Sequence, residues 1–293
     1  MGGQGRRAGG GRRAVRRAQV CELRGAQGGA RLGLRPAGGG ERVAKARAER
    51  GGARAAAPEP EEVAEALWVH NVSRIKGWPN AVIGYVDFSS ENCRHTIKEL
   101  AKLPLMRGIR QQLHWHNNPL YRFATDPDIM MNSAWRDNFS LLQDHDWCFE
   151  LQVFASQMKN SAKLATTFPH TRIILQHCGM PEDTSRDGMS FWLDGMKYLA
   201  DCPNVYCKFS GLGTFLHKNS PSFISDILGQ CIELFGAHRC IFGSNFPIEK
   251  IWTNYSDLIG SFKHSLSVLS QGEQNLIFYE NAKDIYKIDC QGA

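Results

Sequence analysis

From Ala81 onward, short apolar runs recur along the chain, each rising to a polar tip and stopping near a glycine or proline. They are Ala81-Val-Ile-Gly-Tyr-Val-Asp-Phe88, Met106 to Leu113, Trp147 to Phe154, Arg172 to His177, Val205 to Ser210 and Cys240 to Ser244. Runs of this length, rich in β-branched and aromatic residues and without strict alternation, predict strands buried on both faces. Between them the apolar positions fall at helical spacing. Helices are predicted over 61–70, 91–103, 134–143, 157–167, 191–200, 222–235, 256–269 and 272–279. Strand and helix alternate every 25 to 40 residues or so, which predicts a parallel sheet with helices packed outside it.

The strand tips carry the chemistry. In order they are Arg110 and Gln112, Gln152, His177, Ser210, and Ser244 with Asn245. Polar groups gathered at one end of successive parallel strands indicate a (β/α)8 barrel, in which that end holds the active site. An open doubly wound sheet would alternate in the same way, but no glycine-rich phosphate loop follows the first strand. The segment Thr171-Arg-Ile-Ile-Leu-Gln-His-Cys-Gly179 is the clearest case, a buried run expected to deliver His177 to its C-terminal end.

Composition divides the chain in two. Residues 1–57 hold 14 Lys and Arg against 3 acidic residues, about half of the 29 glycines, and no Phe, Tyr or Trp. That segment has too little apolar area to offset the entropy of ordering, and a disordered basic tail is expected, with the barrel domain over 58–293. Because the net charge of the whole chain is +6, the body is mildly acidic, which argues against a nucleic-acid surface there. Nine cysteines without a CxxC pair point to a reducing, cytoplasmic setting. The Arg-rich start also admits organellar import. No apolar run reaches the length of a membrane span.

Several side chains have a second reading. His177 is a candidate acid–base group or metal ligand, set against a core histidine. Arg110 would grip a substrate oxygen or close a buried ion pair, and Lys208 is expected as an ion-pair partner. The loop from His114 to Asp128 is long for a connector. In it His114 and His116 flank Trp115, with Tyr121 and Arg122 following, a set suited to a metal or a sugar-like substrate, or to the rim of a loop. Gln152 shares a strand face with Glu150 and lies nearer the mouth.

The motifs Gly108-Ile-Arg110, Phe149-Glu-Leu-Gln-Val153, Leu175-Gln-His-Cys-Gly179, Asn204 to Gly211 and Phe242-Gly-Ser-Asn-Phe-Pro247 together resemble the amidohydrolase-related family, in particular its sugar-lactone and pyrone-dicarboxylate lactonase-like branch. The resemblance covers about residues 60–288. It implies a (β/α)8 barrel that opens a lactone or similar small acid derivative with water, in some members with a divalent metal such as zinc. By position His177 matches a family histidine, Asn245 stands where the family has an aspartate, and Arg110 matches a substrate-binding arginine. A first-strand His-x-His pair is missing; His114-Trp-His116 follows a later strand. The chain is therefore expected to form an incomplete barrel of about six βα units, lacking two strands upstream, with an incomplete metal-ligand set. Met1 is expected not to be the native start, the alternatives being strands supplied by a partner chain or an incomplete barrel that persists. Small-molecule hydrolysis is the leading expectation, assembly into a homo-oligomer is admitted, and a catalytically inactive barrel with a binding role is the rival.

Overall fold

The computed structural model describes residues 20–22 and 60–288. Seven strands form one all-parallel sheet in sequence order: β1 (Val20–Glu22), β2 (Ala81–Tyr85), β3 (Met106–Gln112), β4 (Cys148–Gln152), β5 (Ile173–Leu175), β6 (Val205–Phe209) and β7 (Cys240–Phe242). Parallel neighbours joined through outer helices generate a barrel wall. Among the described residues nothing pairs β7 with β1.

Six of these strands are those expected from the apolar runs. The seventh, β1, lies within the segment expected to be a disordered tail and pairs with β2 through Val20↔Ala81 and Glu22↔Ile83. The remainder of residues 1–57 lies outside the described residues.

The helices are α1 (Glu61–Lys76), α2 (Cys93–Leu100), α3 (Ser133–Phe139), α4 (Leu141–Asp144), α5 (Met158–Thr167), α6 (Arg186–Ala200), α7 (Pro221–Phe235), α8 (Tyr255–Ser265), α9 (Gln271–Asn275) and α10 (Asn281–Ile285). Local signals set their ends. Helix α1 runs past the expected His70 to Lys76, where Gly77 takes a left-handed conformation and its N–H bonds the Ser73 carbonyl. Helix α6 begins five residues earlier than expected because the Ser185 hydroxyl accepts from the Gly188 N–H. A π-helical turn, Leu276–Glu280, joins α9 to α10.

Alternate residues of each strand point into the barrel. The lowest inward layer is apolar: Ala81, Ile83, Cys148, Ile174 and Ile241 pack on Ile285, Tyr286 and Ile288 from the chain's last described turn. That segment plugs the barrel floor. Outward-facing residues meet the helices in the main core, which includes Phe149, Leu151, Leu175, Cys207 and Phe209. Two residues above the apolar layer the inward positions become Arg110, Glu150, Gln176 and Lys208. All four are buried, so the interior changes from hydrocarbon to charge within one strand repeat.

Candidate active site

Glu150 is the centre of the charged layer. Its carboxylate, fully buried, accepts from Arg110 Nη2 through one oxygen, and from Lys208 Nζ at 3.0 Å and the Tyr286 hydroxyl at 2.5 Å through the other. Arg110 Nη2 also donates to Gln176 Oε1 at 2.6 Å, and the Gln176 amide returns to the Ile174 carbonyl at 3.1 Å. Charges removed from water to this extent are tolerated only when paired and hydrogen-bonded. Arg110 is thus placed first by an ion pair across β3 and β4, where Arg110 and Glu150 are register partners. Lys208 holds the ion-pair position expected for it.

Above this layer the chain departs from the strand that the sequence suggests. Strand β5 ends at Leu175, and Gln176–Gly179 form a tight turn in which His177 (φ 57°) and Cys178 (φ 51°) are left-handed, with Gly179 and Met180 likewise at positive φ. His177 therefore sits on a turn after the strand, since a left-handed residue cannot continue a β ladder. Such backbone persists only where its surroundings fix it. Here Trp192 Nε1 donates to the Cys178 carbonyl at 2.8 Å, Met180 N–H to the His177 carbonyl at 2.9 Å, and the His177 ring lies 2.8 Å through Nδ1 from the Ser210 hydroxyl. Gly211 completes the seat: a Cβ there would come within 2.5 Å of His177 Nδ1, and its φ of +65° favours glycine as well.

A cavity of about 1280 Å³ is lined by Arg110, His177, Lys208, Ser210, Ser244 and Asn245, by Tyr255 and Tyr279, and by Tyr286 and Ile288 of the segment that plugs the floor. Asn245 is left-handed (φ 52°), a conformation that asparagine tolerates. The structure therefore brings Arg110, His177 and Asn245 to one cavity.

The other candidates belong to a neighbouring sector of the mouth. His114 and His116 project to the same side, as their spacing suggests, and their rings pack on Phe154 at 5.7 and 5.3 Å. Burial pushes the His114 imidazole down to about 4, and its Nδ1 is enclosed without a hydrogen-bond partner among the described residues. Tyr121 joins His116, Phe154 and Phe215 in a ring cluster. Arg122 lies over the Trp115 ring at 4.9 Å and donates to the carbonyls of His116 and Asn117, bracing its own loop. Gln152 reaches the Met180 sulfur at 3.6 Å, and the Gln112 side-chain oxygen Oε1 is enclosed without a partner among the described residues. Buried Gln157 ties this sector together: its oxygen accepts from Trp115 N–H, and its amide donates to the carbonyls of Leu113 and Pro127.

The sequence reading passed over two groups. One is Glu150 as the interior anion; a carboxylate inside an otherwise apolar strand was the available signal. The other is Glu249, 1% exposed, whose carboxylate accepts from Asn245 Nδ2 at 3.3 Å and meets the Thr214 hydroxyl at 3.5 Å. Burial raises its carboxyl above the ordinary glutamate range, while the bonds from Asn245 and Thr214 act against that rise.

A divalent ion needs several anionic or imidazole donors converging on one point. At the cavity the described residues offer His177, a hydroxyl from Ser210, the neutral amide of Asn245 and the carboxylates of Glu65 and Glu280, and no three His, Cys, Asp or Glu ligand atoms among them converge on one point. Among the described residues, the one group of three or more His, Cys, Asp or Glu ligand atoms within 4.8 Å of one another is Cys178, Cys207 and Cys231, fully buried in the core.

The sequence profile of the family described as Amidohydrolase matches residues 23–288. The match begins well upstream of residue 60, inside the segment expected to be a tail. Uncharacterized protein y4mH of Sinorhizobium fredii is 31% identical over 224 residues, covering 76% of this chain and 75% of that one. An L-fucono-1,5-lactonase of Burkholderia ambifaria is 28% identical over 178 residues, covering 60% of this chain and 58% of its own. In fold, a crystal structure of an amidohydrolase from Burkholderia multivorans with bound HEPES superposes with a TM-score of 0.68 at 21% identity, covering 77% of this chain and 80% of that one. With a (β/α)8-type wall, polar strand ends and a family profile spanning most of its length, the chain belongs to the amidohydrolase family.

Proposed function

We propose that this protein hydrolyses a lactone derived from a small sugar acid. The observation that carries the reading is one cavity lined by a seated histidine, an asparagine and the two cations that share Glu150. It is supported by similarity to an L-fucono-1,5-lactonase. A water molecule hydrogen-bonded at Asn245 attacks the lactone carbonyl, forming the new C–O bond as the carbonyl electrons move onto oxygen. Arg110 and Lys208 stabilise that oxyanion from the cavity wall, as fixed charges placed before the reaction begins. His177 accepts the proton of the attacking water and returns it to the ring oxygen as the C–O bond of the ring breaks. The Ser210 hydroxyl keeps the imidazole in one orientation throughout. The product is an open hydroxy acid, which releases a proton at neutral pH.

That proton is the assay. Full-length protein is mixed with a panel of five- and six-membered aldonolactones under pH-stat, and base consumption is compared with the uncatalysed rate. Opening that falls at least about 100-fold in His177→Ala supports the proposal. An unchanged background rate across the panel, from protein that is folded by circular dichroism, would favour a binding role for the barrel.

A further inference from the structure

Glu249 lies outside the mechanism above, yet it is a nearly fully buried carboxylate at the catalytic end of the barrel. It follows β7 on the turn Ile248–Ile251 and is enclosed from two loops. From the loop after β6 come the Thr214 hydroxyl and the backbone of Gly213, where a Cβ would come within 2.6 Å of Glu249 Oε2. A glycine at 213 leaves the space that the carboxylate fills. From its own loop the bonds to Asn245 run both ways: Glu249 N–H donates to the Asn245 carbonyl at 3.1 Å, and Asn245 Nδ2 donates to Glu249 Oε1 at 3.3 Å.

This pairing fixes an orientation. Glu249 Oε1 accepts from Asn245 Nδ2, so the nitrogen end of the amide faces the carboxyl group. The oxygen end is then turned to the other side. Asn245 borders the cavity while Glu249 stands behind it. Without the carboxylate the amide could present either end to the cavity, and a donor there would oppose a water whose lone pair must face the lactone.

We propose that Glu249 is a positioning residue that holds Asn245 with its amide oxygen toward the cavity, where that oxygen accepts a hydrogen bond from the attacking water. This rests on the lactone reading. Asparagine at this place aligns water without taking its proton, and the proton goes to His177. What Glu249 supplies is an acceptor for the amide, a task that a glutamine can perform through its carbonyl oxygen.

The test combines kinetics with a measurement independent of turnover. In the full-length protein, Glu249→Ala is expected to lower kcat at least about tenfold with KM changed less than about threefold. Glu249→Gln is expected to restore most of that loss. Asn245→Ala together with Glu249→Ala is expected to be no slower than Asn245→Ala alone. With ¹⁵N-asparagine labelling, the Asn245 side-chain amide, assigned by its disappearance in Asn245→Ala, is expected to shift in Glu249→Ala and return toward its original position in Glu249→Gln. Full kcat in Glu249→Ala, additive losses in the double variant, or a Gln variant as slow as the Ala variant would each overturn the proposal, as would an amide resonance that ignores Glu249→Ala. A protein that opens no lactone but shows the predicted resonance shifts would sink the lactone reading and retain the orientation of Asn245 by Glu249.

Discussion

The mouth of this barrel has two sectors built on opposite principles. Over β3 and β4 the loops close on rings: His114, His116, Tyr121 and Phe154 pack together with Phe215 reaching in from the loop after β6, and Gln157 satisfies the backbone groups between them. From β5 to β7 the loops hold polar groups around open space. The first sector excludes water by filling its volume; the second keeps volume and charge for a ligand. Histidines occur in both, and their surroundings separate them. His114 is pressed into aromatics and held neutral, whereas His177 is oriented by a hydroxyl at the edge of a cavity.

The comparison can be broken most severely beneath the polar sector. Glu150→Leu leaves Arg110 and Lys208, both buried, without their shared carboxylate, and a loss of about 3–5 kcal/mol is expected in urea unfolding, enough to threaten folding altogether. A loss below about 1 kcal/mol would show that the charged layer is well hydrated and that the contrast with the packed sector is false.

The next largest effect belongs to the packed sector and depends on pH. His114 has its folded pKa depressed to about 4 from an ordinary 6.5. Between those values the unfolded chain takes up a proton that the folded one refuses, so stability is lost as pH falls from 6.5 toward 4. The loss approaches roughly 3 kcal/mol. His114→Phe should flatten that part of the stability–pH profile while leaving the neutral value nearly unchanged. An equally steep profile in the variant would assign the acid sensitivity elsewhere. The smallest effect expected is at the rim: Arg122→Ala removes the stacking on Trp115 and two exposed bonds to loop carbonyls. A cost of about 0.5–1 kcal/mol should appear in thermal unfolding, with lactone opening retained.

Much of the frame was legible because burial on both faces of a strand leaves a direct trace in sequence. The runs around Ile109, Leu151, Ile174, Cys207 and Ile241 are strands in which apolar residues fill most positions and the inward charges Arg110, Glu150 and Lys208 pair with one another. Their polar tips do face one end, and Arg110, His177 and Asn245 do share a cavity. What was not legible depends on partners distant in sequence. That Arg110 is first an ion-pair partner follows from Glu150 on the adjacent strand. That Gln176 turns inward follows from Arg110 Nη2. Strand β1 carries almost no pattern of its own; three residues in a Gly- and Arg-rich context become a strand through the edge that β2 offers them. Glu249 was passed over because exposed and buried glutamates look alike until the glycine that makes room for one of them is seen.

The contact between Gly211 and His177 also bears on how this molecule can change. A Cβ at 211 and the imidazole at 177 claim the same space, so the Ser-Gly pair after β6 and the left-handed turn after β5 form one device encoded in two places. Neither half can drift alone. A side chain at 211 would evict the histidine, and with the ring gone the pressure for glycine at 211 falls to its backbone angle. Variants of this barrel that have given up the chemistry should therefore show the relaxation first at position 211, before the strands themselves alter.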